Sequence, residues 1–177
     1  RGHSDTEVLL AAISQWGLEA AVKRFNGMFA FAVWDRQAQT LNCVRDRLGE
    51  KPLYYGWTGK AFLFASELKA LQAYPGFNAE IDRNAVALFM RHNYIPAPYS
   101  IYKGIYKLPP GMMLSVSRHN PMPGGTAAPV PYWSAKAAAE RGETEPLTGS
   151  EEEAVAQLEG LLMDATQLRM VADVPLG

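Results

Sequence analysis

The stretch Met28-Phe29-Ala30-Phe31-Ala32-Val33-Trp34 carries no polar side chain. It is too short and too evenly apolar for a surface element, and it reads as a strand buried on both faces. Two helices are expected before it. Ser4-Asp5-Thr6-Glu7 has the spacing of a capping box, with Ser4 as N-cap and Glu7 able to reach back. Leu9, Ile13 and Trp16 then recur at helical spacing until Gly17 stops the run. Leu18, Ala21, Val22 and Phe25 form the stripe of a second short helix that closes near Gly27.

Downstream of this run, Leu41-Asn42-Cys43-Val44-Arg45 continues as a second strand, and Leu53-Tyr54-Tyr55-Gly56-Trp57 is its expected partner. Thr58-Gly59-Lys60 reads as a hairpin turn into Ala61-Phe62-Leu63-Phe64-Ala65. Ser66-Glu67 start a short helix through Leu71, and Asp82 caps a helix carrying Ala85, Val86, Leu88, Phe89 and Met90. Pro96, Pro98, Pro109 and Pro110 force irregular backbone before a strand at Met112-Met113-Leu114-Ser115-Val116. Residues 120–131 read as a mobile loop and 134–149 as an inter-domain linker, both from their small, Pro-, Gly- or Ala-rich composition. Ser150 and Glu153 repeat the capping-box spacing ahead of a strongly amphipathic helix bearing Val155, Leu158, Leu161, Leu162, Ala165 and Leu168.

Composition bounds the function. The chain has 177 residues, of which 48% are apolar and 20% charged, values of an ordinary globular protein and not of a disordered or fibrous one. Seventeen basic against eighteen acidic side chains leave a net charge of -1, which gives no electrostatic case for nucleic acid or an anionic membrane. No apolar run reaches the roughly 20 residues of a membrane helix, and Arg1-Gly2-His3-Ser4-Asp5 is no signal peptide. The single cysteine, Cys43, excludes an internal disulfide framework and suits a reducing cytoplasm.

Few residues stand out as chemistry. Asp5, in the first turn of a helix, either complements the helix dipole or is presented to grip an ammonium group such as that of an amino acid. Arg45-Asp46-Arg47-Leu48-Gly49-Glu50-Lys51-Pro52 packs five charges between two apolar strands, and a solvated turn is the default reading. Arg45 and Asp46 point to opposite faces in extended backbone, so one of them is aimed at a core or interface where an unpaired charge is costly. Cys43, flanked by Leu41 and Val44, reads as a buried small hydrophobe and not as a nucleophile. His3, His92 and His119 share no ligand spacing, so no metal site is expected. Phe25, Phe29, Phe31, Phe62 and Phe64 read as core, and Gly124-Gly125 lacks the context of a phosphate loop.

In series, four segments resemble the glutaminase domain of glutamine-hydrolysing asparagine synthetase, in the class II glutamine amidotransferase family. They are Gly2-His3-Ser4-Asp5-Thr6-Glu7, Phe25-Asn26-Gly27-Met28-Phe29-Ala30-Phe31-Ala32, Arg45-Asp46-Arg47-Leu48-Gly49-Glu50-Lys51-Pro52-Leu53-Tyr54-Tyr55 and Phe64-Ala65-Ser66-Glu67-Leu68-Lys69-Ala70-Leu71. Tyr94-Ile95-Pro96-Ala97-Pro98, Ser100-Ile101-Tyr102-Lys103-Gly104-Ile105 and Lys107-Leu108-Pro109-Pro110-Gly111 add to the likeness. The final run from Arg169 resembles the segment just before that family's ATP-pyrophosphatase loop.

The resemblance implies an α+β chain: an incomplete four-layer αββα sandwich of the N-terminal nucleophile hydrolase type over residues 1–133. A linker, 134–149, and the first helix of an α/β ATP-pyrophosphatase-type domain, 150–177, follow. It also implies glutamine hydrolysis by a first-position cysteine, with ammonia passing through a tunnel to aspartate activated by ATP and magnesium. A dry passage keeps ammonia from being protonated. Asp5 matches the aspartate that holds the glutamine α-amino group, Met28 matches a position lining the ammonia passage, and Glu50 falls where some relatives carry an apolar tunnel residue. The chain begins with Arg1 in place of the nucleophilic cysteine, so it is expected to be an internal portion of a longer enzyme. On its own it is expected to be inactive, to bind neither ATP nor magnesium, and to form a homodimer if another copy covers missing strands. Glutamine and aspartate are the implied substrates. The alternatives are a related amidotransferase acting on a sugar acid or β-lactam type acceptor, and a non-catalytic binding module.

Overall fold

A computed structural model describes residues 4–119 and 128–170. The elements in chain order are α1 (Asp5–Trp16), α2 (Leu18–Arg24), β1 (Ala30–Asp35), β2 (Thr40–Arg45), β3 (Tyr54–Thr58) and β4 (Ala61–Ala65). There follow α3 (Leu68–Gln72), α4 (Arg83–His92), β5 (Ile105–Lys107), β6 (Met112–Ser117), β7 (Val130–Pro131), α5 (Ala135–Thr144) and α6 (Glu151–Arg169). They fall into two compact units, Arg1–Ala135 and Lys136–Gly177.

The helix starts follow from local chemistry. The Ser4 hydroxyl accepts the Glu7 amide at 3.3 Å, and Asp82 accepts the Asn84 amide at 2.9 Å. At Ser150 both halves of the capping box form, Glu153 amide to Ser150 Oγ at 3.3 Å and Ser150 amide to Glu153 Oε2 at 3.0 Å. Gly17, at φ 79°, ends α1 and lets α2 begin on the next residue.

The first unit is built on two antiparallel sheets, one ordered β1-β2-β6-β7 and the other β4-β3-β5. Side chains alternate along a strand, so β1, β2 and β6 of the first sheet each serve two cores. Ala30, Ala32, Leu41, Cys43, Met112, Leu114 and Val116 pack with Leu53, Tyr55, Phe62, Tyr106 and Leu108, which joins the two sheets face to face. Phe29, Phe31, Val44 and Met113 point the other way, onto Leu18, Val22, Phe25, Tyr132 and Trp133. The order is therefore helix layer, sheet, sheet, with α3 packed on β4.

Several expectations change. β1 packs on both faces, as expected, Ala30 and Ala32 on one and Phe31 on the other, but it is only partly buried: β2 is its one described neighbour, and Trp34 is 42% exposed. An edge strand lacks lateral cover on one side. β2 does not pair with residues 53–57. It pairs with β6, Cys43 opposite Leu114, because the turn after Arg45 carries the chain away into the second sheet. Phe64, read as core, is exposed. Residues 134–149 contain the helix α5, whose alanines are the strongest helix formers. Of the expected loop 120–131, Val130 and Pro131 pair with β6, while 120–127, with Gly124-Gly125, lie outside the described residues. His3 and residues 171–177 also lie outside them. The apolar stripe of α6 is present, but Leu158, Leu161, Leu162 and Leu168 are all exposed. No helix among the described residues is long and apolar enough to cross a membrane.

Candidate functional site

A cleft of about 730 Å³ opens where four separate stretches of the first unit meet. The first turns of α1 supply Asp5, Thr6, Val8 and Leu9, and the α2–β1 junction supplies Phe25 to Phe29. Ala30 and Phe31 of β1, Lys51 and Pro52 of the turn before β3, and Ser66 after β4 complete the lining. All four of the longer sequence segments singled out above therefore contribute to one surface.

Asp5 lies on the rim in the first turn of α1. Its Oδ1 accepts the Thr6 amide at 2.7 Å, which fixes the carboxylate, and the side chain stays exposed. It stands in the first turn of α1, where a carboxylate complements the helix N-terminus, and it is one of the residues lining the cleft. Asp5 and Lys51 are the charged residues in the lining. Met28 is 45% exposed on the same cleft, whereas Glu50 is not part of the lining. Behind Met28, the rings of Phe25, Phe29 and Phe31 pack on one another, with Phe25 and Phe29 edge to face at 5.7 Å. All three rings are among the residues that line the cleft, so this part of its surface is apolar.

The turn expected to be solvated is held by backbone hydrogen bonds to two of its charged side chains. Asp46 is 1% exposed, and its carboxylate accepts three backbone amides: Phe29 at 3.3 Å, Glu50 at 2.9 Å and Lys51 at 3.0 Å. The Arg45 guanidinium donates to the carbonyls of Gly49 (2.6 Å), Leu108 (2.7 Å) and Lys51 (2.8 Å). Burial lowers the Arg45 pKa, and the neighbouring Asp46 opposes that shift. Arg45 and Asp46 thus do not pair with each other but are each satisfied by backbone, which resolves the cost of their burial. Sequence showed the two adjacent charges but not these partners, since backbone groups carry no sequence signature.

Cys43 is fully buried in the inter-sheet core, and burial pushes its thiol pKa up to about 12. It is a core residue away from the cleft lining. His92 and His119 are not brought together with other ligands: among the described residues no group of three or more His, Cys, Asp or Glu is placed to hold a metal ion.

A family model described as a glutamine amidotransferase domain matches residues 1–133. Asparagine synthetase (glutamine-hydrolyzing) 3 of Bacillus subtilis (strain 168) is 37% identical over 182 residues, which cover 99% of this chain and 27% of that protein. Asparagine synthetase (glutamine-hydrolyzing) 1 of the same organism is 32% identical over 174 residues, covering 98% of this chain and 25% of that protein. The chain spans between a quarter and a third of the length of the curated relatives it matches. With three quarters of its residues matched by that model, and the cleft lying wholly within them, the chain belongs to the glutamine amidotransferase domain family.

Proposed function

We propose that the cleft is the glutamine site of a glutamine-dependent asparagine synthetase, with Asp5 holding the α-ammonium group of the substrate. The observation that supports this reading is convergence. Stretches around Asp5, Met28, Lys51 and Ser66, far apart in the chain, meet on one cleft with a fixed carboxylate at its rim. A carboxylate–ammonium contact of this kind is charge-assisted, worth about 1.5–3 kcal/mol.

In this reading the first unit belongs to a four-layer αββα sandwich, and glutamine is hydrolysed to glutamate and ammonia. Ammonia leaves past Met28, whose unbranched thioether offers no acidic proton that would convert it to ammonium. A synthetase domain beginning at α6 then transfers it to aspartate activated with ATP and magnesium, giving asparagine. ATP and magnesium are assigned to that synthetase half, and no residue described here is given a part in holding them. A cytoplasmic setting suits the lone, reduced thiol.

The test is glutamate release from L-glutamine by the full-length protein. Asp5→Ala should raise the KM for glutamine about 10- to 100-fold with little change in kcat. An unchanged KM removes the role given to Asp5, and a wild-type protein that releases no glutamate overturns the glutamine reading itself.

A further inference from the structure

Asp46 is the one fully buried carboxylate among the described residues, and the reading above does not use it. It follows β2 at the point where β1 and β2 stop pairing: Ala30 opposite Arg45 is the last registered pair. Beyond that pair each chain supplies its own stretch of the cleft lining, one wall apiece. One wall carries Met28 and Phe29; the other carries Lys51 and Pro52.

Asp46 ties these walls together without lining the cleft. Its Oδ2 accepts both the Phe29 amide and the Lys51 amide, one from each wall, while Oδ1 accepts the Glu50 amide. Its backbone continues the link: the Asp46 amide donates to the Phe29 carbonyl at 2.9 Å, and its carbonyl accepts Gly49 at 3.2 Å and Gly111 at 2.8 Å. A single oxygen shared between two amides fixes their separation, since both N–H groups must reach the same acceptor. Three donors aimed at one side chain also demand an anion with two acceptor oxygens. Asparagine offers one oxygen, and its NH2 group would face an amide donor.

We infer that Asp46 is a positioning residue for the ligand of this cleft, setting the distance between the Met28 wall and the Lys51 wall. The inference rests on the cleft being the glutamine site, and the wall-spacing part of it stands on the hydrogen bonds alone.

The experiment compares wild type, Asp46→Asn and Asp46→Glu in the full-length protein, by hydrogen exchange with mass spectrometry and by glutamine kinetics. Asp46→Asn should raise exchange at least 10-fold in peptides covering residues 26–31 and 49–52, leave α4 unchanged, and raise the glutamine KM at least 10-fold. Asp46→Glu, which keeps the charge but is longer by one methylene, should loosen the same two peptides to a smaller extent. Faster exchange with an unchanged KM would make Asp46 purely structural and overturn the inference while leaving the glutamine reading intact. Loosened walls in a protein whose wild type does not use glutamine would remove the glutamine reading and leave the clamp. Unchanged exchange at both walls, exchange raised equally in α4, or failure of both variants to fold would each overturn the clamp.

Discussion

The hydroxyl of Tyr132 donates a hydrogen bond to the backbone carbonyl of Arg45 at 2.8 Å, joining the stretch ahead of α5 to the end of β2. Tyr132 also closes the core beneath α2 together with Val22 and Val44. One side chain from late in the chain thereby braces the strand end from which the Arg45–Asp46 network spreads. Its loss should be felt as stability and not as a change of fold.

Tyr132→Phe should cost about 0.5–1.5 kcal/mol at pH 7, the worth of one intramolecular hydrogen bond. Burial, reinforced by Asp46, pushes the Tyr132 pKa up to about 12. The unfolded chain ionises it near pH 10, so between those values the folded state holds the extra proton and stability falls as pH rises. The contribution is complete below about pH 10 and lost as pH passes the folded-state value. Urea midpoints of wild type and Tyr132→Phe should therefore converge as pH is raised from 10. A constant gap would show that the hydroxyl does not titrate late.

Cys43 is expected to resist alkylation. It is buried, and its thiol is held protonated far above neutral pH by loss of solvation. Iodoacetamide at pH 8 should leave the folded protein unmodified and label it fully in denaturing urea, as read by intact mass. Rapid labelling of the folded protein would place Cys43 outside the core.

Gly56 and Gly59 should respond differently to alanine: one lies within β3 and the other in the turn that follows it. A Cβ at Gly56 would stand 2.1 Å from the Gly104 carbonyl oxygen, so β3 and β5 would have to part. Gly59 has open space around it but a φ of +59°, which strains an L side chain. Gly59→Ala should cost about 1 kcal/mol and Gly56→Ala about 3 kcal/mol or more, measured by urea unfolding. Equal costs would mean that the backbones do not approach as closely as the structure has them.

Asp5→Ala should leave the fold almost untouched. The residue is exposed, and its interaction with the helix N-terminus is worth about 0.3–1 kcal/mol. A small change in Tm together with a large change in glutamine KM would separate the two parts this carboxylate plays. A large stability loss with no change in KM would leave only the helix-dipole part.

Much of the secondary structure was legible because its causes are local. Ser4, Asp82 and Ser150 each cap the helix that follows, through a bond to an amide two or three residues on. The runs read as strands at 28–34, 41–45 and 61–65 are strands, with bounds Ala30–Asp35, Thr40–Arg45 and Ala61–Ala65. Asp5 and Met28 were visible through the likeness of their surrounding segments, and both line the cleft. The helix α5 within residues 134–149 is not legible in the sequence, because alanine-rich composition suits an irregular linker and a helix equally well.

What the amino-acid order settled alone is where the capped helices start and where the longer strands lie, since capping and side-chain periodicity act within a few residues of each other. Only the tertiary structure decided that β2 pairs with β6 and not with β3, that β1 lies at an edge, and that Asp46 is buried among backbone amides. Those outcomes depend on which distant backbone groups find one another when the two sheets close over their shared core. A strand's side-chain pattern says which face it buries but leaves open whose hydrogen bonds it completes.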